Sequence, residues 1–201
     1  LLAEIKEAED KRGGETKAKS PPVPAVEAPK RPPFEWPATD RYQDHGDGTV
    51  TDVETGLQWM RFSLGQEWKD GTCVGEAQYC GWANVLEAAE VLNRQGGYAG
   101  YCDWRMPTKE ELQTLVYCSS GQPKTWNDTG KSCQDRLETL ETPTIYQPIF
   151  PNTGNHIYWF YATDTETSIM GGTISFNICG GYVGCQNKNL GGFARLVRGG
   201  Q

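Results

Sequence analysis

Residues 46–61 read GDGTVTDVETGLQWMR, two short alternating runs separated by turn-forming residues. Alternation of period two around such a turn predicts a β-hairpin over about residues 48–61, and this hairpin should open the globular part of the chain. The Asp47-Gly48 pair supplies the positive backbone angle that a tight turn wants. Asp44, Asp47 and Asp52 surround the same turn, and hard oxygens grouped around glycines are also what calcium needs, although the spacing departs from the EF-hand pattern. Turn chemistry and a calcium site therefore both stand as readings of these carboxylates.

Downstream of the hairpin, Trp82, Val85, Leu86, Ala89 and Leu92 recur at three- and four-residue spacing until Gly96-Gly97, which predicts a core-facing helix over 82–93. A second helix is announced by PTKEEL at 107–112, where Thr108 can cap the backbone and Glu111, three residues on, can return the bond. Leu112, Leu115 and Val116 then face the core. Cys118 to Pro143 encloses a polar stretch without periodicity, and joining Cys118 to Cys133 would constrain it by about 3 kcal/mol on the loop-entropy model. The last third carries IYWFYAT, GGTISFNIC and GFARLVRG between glycines and asparagines, which predicts a small antiparallel sheet closing the fold. The class is therefore α+β, with helices central and strands toward both ends.

Upstream, residues 1–40 differ in kind from residues 41–201. A charged run, LLAEIKEAEDKRGGETKAK, leads into PPVPAVEAPKRPPFEWP, whose prolines forbid regular helix or sheet, so a short helix and an extended Pro-rich linker are expected there. The chain starts at Leu1 rather than Met, and a removed upstream segment, either a signal peptide or an anchor, is expected. A net charge of -7 disfavours nucleic acid and anionic lipid as partners. No run approaches the roughly 18 consecutive apolar residues of a membrane span. The 7 cysteines include no C-x-x-C pair, and only His45 and His156 could complement them, which argues against zinc. Cysteines flanking polar, Gly-rich loops suit an oxidising, extracytoplasmic compartment.

Four blocks in order carry a resemblance: G-D-G-T-V-T-D-x-x-T-G-L-x-W at 46–59, G-Y-x-x-Y-x-D-W-R-M-P-T-x-x-E-L at 97–112, F-P-N-T at 150–153 and R-L-V-R-G-G-Q at 195–201. From about residue 42 to the end the chain resembles the family named for the C-terminal domain of the Legionella collagen-like adhesin, a bacterial domain family long without an assigned function. The resemblance implies a C-type-lectin-like fold, related in shape to the formylglycine-generating enzymes, at the end of an exported protein. The name-giving member is an adhesin for sulfated polysaccharides, a property the acidic balance of this chain argues against copying. The family motif W-M-R-C-S-x-G-Q-x-W stands here with Phe62 in place of the frequent cysteine, so Cys73 lacks its usual partner. The resemblance then implies bridges Cys73–Cys80, Cys118–Cys133 and Cys179–Cys185, with Cys102 left over.

Trp104, Arg105 and Pro107 look like a signature, and a Trp and an Arg just before a helix are read as locking a core corner. The candidate ligand-binding residues lie in the glycine-hinged loop 180–192, namely Tyr182, Gln186, Asn187, Lys188 and Asn189, with Trp126 as a further aromatic platform. Cys102 near a helix start, approached by His156, is the sharpest enzymatic idea, a thiol activity like that of the generating enzymes. No G-x-S-x-G, phosphate loop, H-E-x-x-H or dinucleotide fingerprint occurs, so neither catalysis nor a cofactor is expected beyond the calcium reading. The expected function is a non-catalytic surface recognition or adhesion module for a glycan or protein. The alternative is a structural subunit of a fibre, pilus or envelope assembly, docking through residues 1–40 onto like neighbours.

Overall fold

The structure, a computed structural model, describes residues 33–121, 123–126, 130–133, 140–155, 159–161, 170–174, 181 and 183–200. The chain divides into two units, Leu1–Pro33 and Phe34–Gln201, and the described elements all lie in the second. In chain order they are β1 (Tyr42–Asp44), β2 (Thr49–Asp52), β3 (Leu57–Met60), β4 (Glu67–Lys69), β5 (Thr72–Val74), α1 (Trp82–Arg94), α2 (Lys109–Gln113), β6 (Pro123–Trp126), β7 (Gly130–Cys133), β8 (Trp159–Tyr161), β9 (Met170–Ile174), β10 (Val183–Asn187) and β11 (Val197–Arg198).

The opening hairpin forms as its alternation predicts: β2 and β3 pair antiparallel from Thr49↔Met60 to Asp52↔Leu57. The last strand, β11, adds to the free edge of β3 with Val197 opposite Trp59, so one sheet of order β1-β2-β3-β11 holds both ends of the folded unit. A second antiparallel sheet of order β10-β9-β8 comes from the last third of the chain, where strands were expected. Val50, Leu57, Trp59 and Val197 from the first sheet pack with Trp159 and Ile174 from the second, and Leu112 and Leu115 complete this core.

The apolar period over 82–94 becomes α1, which buries Trp82, Val85 and Ala89. Its stop is chemical. The Gly97 N–H donates to Leu92 O at 2.9 Å with φ at +72°, and a Cβ there would lie 1.8 Å from Tyr101 O, so no other residue fits. α2 carries the predicted capping box, with the Glu111 N–H on Thr108 Oγ1 at 3.2 Å and the Thr108 N–H on Glu111 Oε2 at 2.7 Å.

The signature corner before α2 is structural. Trp104 is buried and its Nε1–H donates to Tyr98 O at 3.0 Å, while Asn93 holds both backbone groups of Trp104. Pro107 is buried beside it. Arg105 grips Glu111 through two bonds of 2.7 Å and also donates to Gly199 O, tying α2 to the chain end. Burial alone would push the Glu111 carboxyl up, but Arg105 and the Thr108 backbone hold it below the ordinary value. A carboxyl depressed in the fold adds stability above its unfolded value, near pH 4.3, and that stability is lost as pH falls through the folded value. Wild type should therefore lose denaturation midpoint more steeply than Glu111→Gln between pH 5 and pH 3. Parallel slopes in urea titrations would contradict this.

Three expectations change. The stretch enclosed by Cys118 and Cys133 is bridged as expected, but it contains the hairpin β6–β7 rather than an irregular loop. The implied bridge Cys73–Cys80 is not made: both are free thiols, as is Cys102. Cys73 sits in the packed cluster around Trp104 and Leu196, with its Sγ–H on Pro151 O at 3.0 Å, and Cys80 is held through its backbone by Gly192. Burial pushes both thiols up. Under native, non-reducing conditions an alkylating reagent should therefore modify exposed Cys102 well before Cys73 and Cys80, and peptide mapping should recover Cys118 joined to Cys133. A recovered Cys73–Cys80 peptide would refute the assignment. The bridge expected between Cys179 and Cys185 lies outside the described side chains.

The third change is at the linker. Trp36 packs against Tyr117 and Tyr146 at centroid separations of 5.3 and 5.4 Å, and the Tyr146 hydroxyl donates to Pro37 O at 2.6 Å. Residues from Phe34 onward thus belong to the compact unit. The short helix and the prolines expected before them lie outside the described residues.

Candidate functional site

The β4–β5 hairpin turns at Asp70-Gly71, both at positive φ, and places Trp68 opposite Cys73. Trp68 packs directly over Gly48, where a Cβ would lie 2.5 Å from its ring, and the Arg61 guanidinium covers the ring at 4.4 Å. The glycine of the opening G-D-G-T block is therefore the seat of this hairpin. Across from it, the F-P-N-T block makes a turn with Asn152 at φ +51°. Asn152 Nδ2 donates to Cys73 O at 2.7 Å, and Thr153 Oγ1 donates to Phe150 O while accepting from Arg195 Nη2. These bonds lock the turn to β5 and leave a recess of about 740 Å³ between them.

Gln66, Thr72, Glu76, Tyr79, Asn152 and Phe193 shape this recess, with Cys73 among its lining. Tyr79 stands 56% exposed. Its ring tilts against Phe193 at 5.2 Å and rests on Gly191, where a Cβ would lie 2.0 Å from the ring. Cys80 and Gly192 exchange backbone hydrogen bonds of 3.0 and 2.9 Å, and the Trp82 N–H donates to Lys188 O at 3.0 Å. The segment after β10 is thereby strapped beside the Tyr79 run. Behind the recess, Arg195 is fully buried, and burial pushes its guanidinium down to about 9, still charged at neutral pH. The Cys73 thiol stays protonated there, since burial raises it despite Arg195 and Arg61. The arrangement offers an aromatic plane and hydrogen-bond acceptors, the equipment of a binding site.

Among the sequence-predicted residues whose side chains are described, Asn187, Lys188, Asn189 and Cys102 lie outside the lining of this recess. Lys188 Nζ lies 4.0 Å over the Trp82 ring, and Asn187 Oδ1 accepts the Asn189 N–H at 2.9 Å, so these two build the turn that carries Gly191. Gln186 lies on β10 and Trp126 on β6, with their side chains outside the description, and Tyr182 lies outside the described residues. Cys102 is exposed, and His156, its expected neighbour, lies outside the described residues. The three carboxylates of the calcium reading have protein partners. Asp44 pairs with Arg61, Asp47 accepts the Thr49 N–H and hydroxyl, and Asp52 is clasped by Arg41. Among the described residues no group of three acidic, His or Cys side chains could hold a metal ion.

Sequence reasoning missed Tyr79, Glu76 and Asn152. The F-P-N-T block was the available signal, since an asparagine inside a recurring block at a turn points to a backbone angle that other residues resist. Tyr79 follows a stretch without periodicity and carries no such mark.

Together these features define an α+β domain with a hairpin inside a disulfide-bridged segment and an aromatic-rimmed recess. The family profile described as the Lcl C-terminal domain matches residues 48–198, from the glycine under Trp68 to the last strand, and the chain belongs to that family. No curated protein and no solved structure matches it. Among the described residues no helix is long and apolar enough to cross a membrane.

Proposed function

We propose that this chain is the recognition module of an exported protein, a C-type-lectin-like domain that binds a glycan or protein ligand without catalysis. The observation that carries the reading is Tyr79, an exposed ring propped on backbone beside a recess large enough for a small ligand or a loop tip. The Cys118–Cys133 bond supports an extracytoplasmic setting, because such bonds persist where thiols are oxidised. The acidic balance supports a partner other than nucleic acid.

Binding of the full chain to a glycan array and to surface-protein extracts, with Tyr79→Ala beside wild type, tests the reading. Signal retained by wild type and lost by the variant is the expected result. Equal binding by both removes the recess from the account. Tyr79 is surface-exposed, so its truncation leaves the core in place and the far-UV spectrum of the variant should match wild type.

A further inference from the structure

We infer that the recess takes a non-anionic saccharide, one that presents hydroxyl or ammonium donors, in preference to a sulfated or carboxylated one; this rests on the binding reading above. The side chains of the recess have few donors left to offer. Both ends of the Gln66 amide are committed, Oε1 to the Ser63 N–H at 3.0 Å and Nε2 to Gly75 O and Asn152 O at 3.3 and 3.4 Å. Asn152 Nδ2 gives one of its two N–H groups to Cys73 O and the Cys73 thiol is spent on Pro151 O, so the Asn152 amide offers its oxygen and at most one N–H. Glu76 is exposed and offers carboxylate oxygens as acceptors. Among the described residues, the side-chain donors that remain are the hydroxyls of Thr72 and Tyr79 beside that one N–H of Asn152, and no lysine or arginine lines the recess.

A sulfate or carboxylate group needs several N–H donors or a cation to replace its water. Arg195, the cation behind the floor, is 1% exposed and sealed from solvent. Lys69 stands opposite Thr72 on the hairpin but outside the lining. A sugar ring with free hydroxyls or amines meets the opposite demand: its C–H face lies on the Tyr79 plane while its donors reach Glu76 and the Asn152 oxygen. The volume of about 740 Å³ falls within the usual range for small-molecule sites, roughly 300–1,000 Å³.

Three matched probes test the inference by calorimetric titration into the full chain: a glucosamine trimer, an N-acetylglucosamine trimer and an O-sulfated N-acetylglucosamine trimer. The first two should bind about tenfold or more tighter than the sulfated probe. Tyr79→Ala should weaken them by about tenfold, Tyr79→Phe should restore them, and Glu76→Gln should weaken the free-amine trimer while sparing the acetylated one. Tightest binding of the sulfated probe, or binding indifferent to Tyr79→Ala, overturns the inference. If no trimer binds while a protein ligand is lost on Tyr79→Ala, the saccharide inference falls and the binding reading stands.

Discussion

Arg195→Ala should lower the unfolding free energy by about 3 kcal/mol or more, whereas Arg195→Met should stay within about 1 kcal/mol of wild type. The guanidinium is 1% exposed, and its one side-chain hydrogen bond is to the neutral Thr153 hydroxyl at 2.8 Å. Among the described residues its Nε and Nη1 have no hydrogen-bond partner and no carboxylate pairs with it. What faces it are the rings of Phe150 at 4.6 Å and Trp159 at 5.6 Å, whose negative faces supply the attraction that a counter-ion would normally give. Alanine removes that attraction and leaves a cavity beside the core shared by the two sheets. Methionine fills the space and removes the desolvation cost of the charge, so the two losses nearly cancel. Urea denaturation of both variants decides the matter, and a methionine variant as unstable as the alanine one would show that the charge itself holds the core.

Asp52→Ala should cost about 3 kcal/mol, and added calcium should not restore it. Asp52 is fully buried, accepts from Arg41 Nε at 3.1 Å and Nη2 at 2.6 Å, and also accepts the Glu54 N–H at 3.1 Å. Arg41 in turn donates to Thr114 O at 2.9 Å, so the pair ties the opening hairpin to the end of α2. Removing the carboxylate strands a half-buried guanidinium and frees the turn at once. A thermal scan with and without millimolar calcium reads both effects. A calcium-dependent rise in wild type that vanishes in the variant would support the metal reading of Asp44, Asp47 and Asp52.

Much of the fold was legible because its signals are local. The β2–β3 alternation, the three- and four-residue spacing in α1, the glycine stop at Gly97 and the Thr108–Glu111 box each state their structure within one element. What stayed hidden is non-local. The register of β11 against β3 joins Val197 to Trp59 across nearly the whole domain, and no spacing announces it. The cysteines show the same limit. Cys118 and Cys133 bond with the β6–β7 hairpin between them, Cys133 standing opposite Pro123, while Cys73 and Cys80, though nearer in sequence, are each held by other partners, a turn at Asn152 and a strap at Gly192. The candidate site was legible only as a neighbourhood. The run from Asn187 to Gly192 does border it, but as the support for Tyr79 rather than as the contact surface.

Backbone amide shifts of the full chain, followed by NMR as an N-acetylglucosamine trimer is added, address the recess most directly. Shifts should concentrate at Glu76–Tyr79, Asn152–Gly154 and Gly191–Phe193 and disappear in Tyr79→Ala. Shifts centred instead on another face of the domain, and unchanged in that variant, would contradict binding at the recess.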